Sequence, residues 1–197
     1  VNDIDEILAA PIEDDPDTSG VNEEKAANIQ SATYYAGDKG YEASDYTYTY
    51  KLGTANIKST SVYFYKPTDD QTDKLIRATE ADSESQMIRS LSYEGTKTVG
   101  SATVFYDQAT EEVTDVTELT SETYYADAEK GEEVAEYAYN YRDGSIETTS
   151  VYYYGTGYEG ADADGVTNET AMTKSETYKV NDIDEILAAP IEDDPDT

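Results

Sequence analysis

Two carboxylates that run into a turn glycine, Asp162-Ala163-Asp164-Gly165, make the most ligand-like cluster in the chain. Carboxylates two residues apart on a loop can offer oxygens to calcium, which takes roughly six to eight of them. Asp15-Pro16-Asp17-Thr18-Ser19-Gly20 has a similar character. Neither fits an EF-hand loop. With Asp162 and Asp164 at the third and fifth positions, Gly160 falls at the first and Ala171 at the last, where that loop needs acids. Calcium at Asp162 and Asp164 is therefore one expectation, and a solvated acidic turn is its competitor. Thr68-Asp69-Asp70 and Glu111-Glu112 read as plain loop charge.

Other chemistry is scarce. The chain has no His and no Cys, which removes the usual general base, the commonest transition-metal ligand and any disulfide. No Gly-rich phosphate loop and no Gly-x-Ser-x-Gly elbow occurs. Paired carboxylates could in principle hydrolyse a glycoside, but with 44 acids such pairs carry no information. The chain is expected not to be an enzyme and to need no organic cofactor. Asn168-Glu169-Thr170 is a single glycosylation sequon, which chance supplies.

The net charge of −31, from 44 acids against 13 bases, opposes binding to nucleic acid or anionic lipid. No apolar run is long enough to insert in a membrane. Only 37 % of residues are hydrophobic, yet there are 20 Tyr against 2 Phe and no Trp. Disordered chains are poor in aromatic and β-branched residues, so this composition points to a folded β protein. Val1, with neither initiator Met nor signal peptide, reads as the start of an internal piece of a longer chain.

Repetition decides the architecture. Val1–Thr18 reappears letter for letter as Val180–Thr197, a period of 179 residues (180 − 1). Such identity reads as a little more than one period of a tandem array. A shorter periodicity lies inside it. Thr33-Tyr34-Tyr35 matches Thr123-Tyr124-Tyr125 at an offset of 90 (123 − 33), and Ser61-Val62-Tyr63 matches Ser150-Val151-Tyr152 at 89 (150 − 61). The chain thus divides into a junction over residues 1–18, a first half-unit over 19–108, a second over 109–179, and a second junction over 180–197.

Each half-unit reads as β. In Tyr46-Thr47-Tyr48-Thr49-Tyr50 and Tyr137-Ala138-Tyr139-Asn140-Tyr141 the tyrosines fall on one face of a strand. Asp143-Gly144 is a strong hairpin signal, and Leu52-Gly53-Thr54-Ala55 takes its place in the first half. The pattern predicts an all-β fold of about nine to twelve strands in antiparallel meanders. It is expected to be an elongated sheet, single-layer or solenoid-like, with tyrosine hydroxyls left in water and short helical junctions. A compact β-sandwich pair is the competing architecture.

The junction differs in kind. Asn2 or Asp3 can cap a short helix, Asp5 and Glu6 suit its N-terminus, and Ile4, Ile7 and Leu8 share one face until Pro11 stops it. Ile183, Ile186 and Leu187 repeat that face, and at least one copy is expected to dock on the β body. A free tether is the alternative.

The cadence Tyr139-Asn140-Tyr141-Arg142-Asp143-Gly144-Ser145-Ile146, running on to Tyr152-Tyr153-Tyr154, resembles the Tyr-rich tandem repeats of very large bacterial extracellular or cell-surface proteins. It is also similar to YD-type and MORN-like repeats, in which Tyr-bearing strands alternate with Gly turns, although the regular Gly spacing of MORN units is missing. The likeness covers Ser31–Tyr65 and Ser121–Tyr154 best. It implies an extracellular or surface location, a spacer, stalk or filament role, and adjacent copies of the same repeat as partners. An adhesive module for glycans or a cation-bridged partner, using Tyr-rich faces and acidic loops, is the alternative.

Overall fold

At Asp143 (φ 51°) and Gly144 (φ 76°) the backbone turns left-handed and brings Arg142 opposite Ser145. This is the two-residue turn whose twist matches antiparallel strands. Turns of this economy, set between runs of alternating Tyr and Ser/Thr, produce a simple meander. The computed structural model describes residues 29–68, 74–110, 112–126, 130–179 and 183–188.

Eight strands follow one another: β1 (Ser31–Ala36), β2 (Ala43–Tyr50), β3 (Ile57–Tyr65), β4 (Met87–Glu94), β5 (Leu119–Tyr125), β6 (Ala135–Arg142), β7 (Ser145–Tyr154) and β8 (Met172–Tyr178). Their order in space equals their order in sequence, all pairings are antiparallel, and among the described residues β1 and β8 are the two edges of one open sheet. Two short helices, α1 (Ala102–Phe105) and α2 (Ile183–Ala188), are the helices among the described residues. The expected antiparallel meander is what forms, and the sandwich is not. Among the described residues there are eight strands, against the expected nine to twelve for the whole chain. Among the described residues, the chain after β3, after α1 and after β7 makes isolated bridges, Tyr65 with Ile76, Tyr106 with Val113 and Tyr154 with Glu159.

The pairings of β1–β4 recur in β5–β8 residue for residue. Tyr34 faces Tyr46, and Tyr124 faces Tyr137; Tyr46 faces Val62, and Tyr137 faces Val151; Tyr63 faces Ser90, and Tyr152 faces Ser175. Even the bulges coincide, at Tyr34/Tyr35 and Tyr124/Tyr125, and at Phe64/Tyr65 and Tyr153/Tyr154. Tyr65 donates its hydroxyl to the Ser44 carbonyl at 2.7 Å, and Tyr154 does the same to Ala135 at 2.6 Å.

Directly opposed residues share a face of the sheet. One face carries Tyr34, Tyr46, Val62, Leu91, Glu122 and Tyr139 across successive strands. The segment between β4 and β5 folds over its centre. There Ala102, Phe105 and Tyr106 bury Val62, Phe64, Leu91, Tyr93 and Leu119. The only two phenylalanines meet edge to face, their centroids 5.6 Å apart. Two smaller clusters form around Tyr65 and around Tyr154. The expectation of hydroxyls left in water therefore fails at the centre. Tyr93 and Tyr106 are fully buried, and each hydroxyl finds a partner, the Asp115 carbonyl and Glu122 respectively. A buried phenol needs such a partner, and the covering segment provides the room for one.

Candidate interaction surfaces and metal site

The opposite face is lined with small hydroxyls. Thr33 and Thr47 share a hydrogen bond of 2.9 Å, Ser61 and Ser92 one of 3.2 Å, and Ser150 and Thr177 one of 3.1 Å. Alternation with tyrosine sends these residues to one side, and the antiparallel register aligns them across strands.

On the tyrosine face each half holds the same ring trio. Tyr34 stacks on Tyr46 at 4.5 Å and 14°, with Tyr48 edge-on to both. Tyr124 stacks on Tyr137 at 4.4 Å and 16°, with Tyr139 edge-on. These rings pack chiefly against one another, and Tyr48 is only 8 % exposed. The freely exposed tyrosines are Tyr35, Tyr41 and Tyr158, all outside the trios. An open groove of about 570 Å³ runs beside β2, lined by Asp45, Tyr46, Tyr48, Arg77 and Lys97 among others.

Two charged sites escape the sequence reading. Glu122, on β5, is 3 % exposed and accepts hydrogen bonds from the hydroxyls of Tyr106 (2.9 Å) and Tyr141 (3.1 Å), with Arg89 at 3.9 Å. Burial raises its pKa above the ordinary glutamate value, against the pull of those hydroxyls and of Arg89. The guanidinium of Arg89 also lies over the Tyr124 ring, 4.4 Å from its centroid. The one sequence signal was Glu122's place two residues before Tyr124, on the same strand face. Arg77, buried, pairs with Asp45 at 2.5 Å and donates to the Gly100 carbonyl at 2.7 Å. It lies in an irregular segment, where no periodicity marks a residue as inward.

Asp162 and Asp164 both lie exposed on the turn after β7. Across from them, Glu136 has its pKa raised by burial first and by the charge of Asp162 second. The bridge of Tyr65 with Ile76 and that of Tyr154 with Glu159 place Gly160 where the first half has Arg77, and Glu136 where it has Asp45. The second half thus keeps the acid and lacks the cation. No group of three or more potential metal-ligating side chains gathers among the described residues. Two carboxylates alone fall well short of the oxygens calcium needs, and backbone carbonyls or water would have to supply the rest.

At the junction, Ile183 and Ile186 on α2 are half-buried and Leu187 is 56 % exposed. Ile4, Ile7 and Leu8 lie outside the described residues, as does the whole 1–18 junction. No helix among the described residues is long and apolar enough to cross a membrane. The chain matches no family model, no curated protein and no solved structure.

Proposed function

We propose that the chain is a structural tandem-repeat module of a large extracellular or cell-surface protein, a spacer, stalk or filament building block whose partners are adjacent copies of itself. The observation that carries this reading is the residue-for-residue recurrence of the β1–β4 pairings in β5–β8, beside the identity of residues 1–18 and 180–197. A sheet ordered strictly by sequence adds length with each repeat and needs only nearest-neighbour contacts. The charge of −31 favours solubility of a long chain of such units. No catalytic role is assigned. Serum raised against the chain tests the reading in the source cells. Label on intact cells, and a blotted species many times heavier than 21.7 kDa, are expected. A species of single-period size confined to the cell interior would overturn it.

A second reading, an adhesive module for glycans, draws on the groove at Asp45, Tyr46 and Lys97. Sugar stacking needs an open aromatic platform, whereas Tyr48 is almost covered, so the structural reading is preferred. Binding on a glycan array that is lost in Tyr46→Ala would reverse that preference.

A further inference from the structure

The joint between the two halves of the sheet has a counterpart at its outer edges that no described residue fills. We infer that β8 pairs, antiparallel, with β1 of a second copy of this sequence, in the register that β4 uses with β5. The inference rests on the tandem-array reading and specifies how consecutive copies meet.

The register follows from two equivalences. Tyr63 faces Ser90 and Tyr152 faces Ser175, so β4 maps onto β8 by 85 residues (175 − 90). Tyr34 faces Tyr46 and Tyr124 faces Tyr137, so β5 maps onto β1 by 90 residues (124 − 34). Inside the chain Arg89 opposes Tyr124, Ser90 opposes Thr123, Leu91 opposes Glu122 and Ser92 opposes Ser121. Transferred to the edges, Lys174 opposes Tyr34 of the second copy, Ser175 opposes Thr33, Glu176 opposes Ala32, and Thr177 opposes Ser31.

The side chains fit this transfer. The cation over Tyr124, Arg89, is replaced by Lys174, and a tyrosine, Tyr34, waits at the equivalent position. On the other face, hydroxyl again meets hydroxyl. The decisive pair is Leu91 with Glu122. At the outer joint the glutamate position holds Ala32 and the leucine position holds Glu176, so the carboxylate has changed strands. The joint still contains one acid and avoids two acids face to face, which a sheet would resist. Tyr50, the equivalent of the Tyr141 that donates to Glu122, stands ready on the second copy's β2.

The edges themselves invite such pairing. β1, Ser-Ala-Thr-Tyr-Tyr-Ala, has no charge and no proline to blunt it, and no strand among the described residues pairs with its outward backbone. Residues such as Leu91 and Glu122 are buried in the inner joint, while their counterparts Glu176 and Ala32 are half-exposed.

The absence of cysteine allows a direct test. In a two-period protein, with Lys179 followed by residue 1 of the next period, Ser175→Cys is placed in the first period and Thr33→Cys in the second. Opposed Cα atoms of paired strands lie about 4.5–5.5 Å apart, within disulfide reach. Mild oxidation is expected to join these thiols at least tenfold faster than a Thr177→Cys/Thr33→Cys pair, two residues out of register on the same face, with both proteins melting as cooperatively as the parent. Equal rates, or no disulfide in a protein that still melts cooperatively, would overturn the paired joint and leave copies strung as separate beads. In a mixture of separate chains, Ser175→Cys joining itself faster than it joins Thr33→Cys would overturn it too, in favour of symmetric β8–β8 pairing. The blot of source cells judges the array independently of these rates.

Discussion

Glu122 is a carboxylate enclosed by tyrosines, and its environment makes a pH-dependent contribution to folding. Its folded pKa is raised, so the native state holds the proton more tightly than the unfolded chain does. Its contribution to stability is full below the unfolded glutamate pKa and is lost as pH rises through the folded value. Tyr106 and Tyr141 donate to different carboxylate oxygens, so Glu122→Gln keeps an acceptor for one of them and turns its NH2 toward the other. That mismatch lowers its midpoint at every pH, but the amide carries no charge to desolvate. The denaturant midpoint of Glu122→Gln is expected to gain on that of the parent as pH rises from the ordinary carboxylate range toward neutrality. A constant difference across that range would show that the carboxylate does not titrate with folding. Turn glycines give a second expectation at this scale. Gly144 has φ 76° and an added Cβ would meet Val116 Cγ2 at 3.3 Å, whereas Gly53 has φ 75° and open space. Both alanine variants incur the left-handed penalty of roughly 1–2 kcal/mol. Gly144→Ala should lose more in urea titration, because Val116 must also move.

Strands were legible in the sequence where alternation was strict. Tyr46-Thr47-Tyr48-Thr49-Tyr50 could only be a strand with its rings on one side, and Asp143-Gly144 could only be its kind of turn. The duplication was legible because loops absorb insertions while paired strands resist them. The segment 95–118 was not legible: α1 is four residues long, too short for a helical period, and its burial depends on strands distant in sequence. Glu122 was missed for the same reason, since its partner Tyr106 lies in that segment. Asp162 and Asp164 stood out as carboxylates, but the Glu136 beside them emerged only from the register of β5 and β6. The junction is the analogue of the 95–118 segment, each following a strand of the same type. Deleting residues 180–197 is therefore expected to lower the denaturant midpoint, because Ile183 and Ile186 give up partial burial, worth at most about 1.5–3 kcal/mol each. An unchanged midpoint would make α2 a tether.

Across the whole molecule the charge of −31 weighs on stability through self-repulsion, which salt screens. Melting temperature should rise with sodium chloride. At matched ionic strength, a further rise with millimolar calcium that magnesium does not reproduce, and that Asp162→Asn abolishes, is expected if the turn binds the ion. Identical melting in the two salts would leave Asp162 and Asp164 as solvated turn charge. The strand order has a mechanical corollary. A chain that enters at β1 and leaves at β8 on opposite edges of a meander carries tension across the strands, along the interstrand hydrogen bonds. Tension in that direction opens the bonds one row after another and never loads a whole ladder in shear. Pulled by its ends, the module is expected to lengthen in a staircase of small steps, edge strands first and the β3–β5 core last. Each strand and its connection, ~20 residues at about 3.5 Å apiece, would add on the order of 7 nm. A single abrupt rupture in force spectroscopy would contradict this order. A surface protein built from such units would absorb a tug by paying out length gradually, and would reel it back as each strand finds the neighbour it has just left.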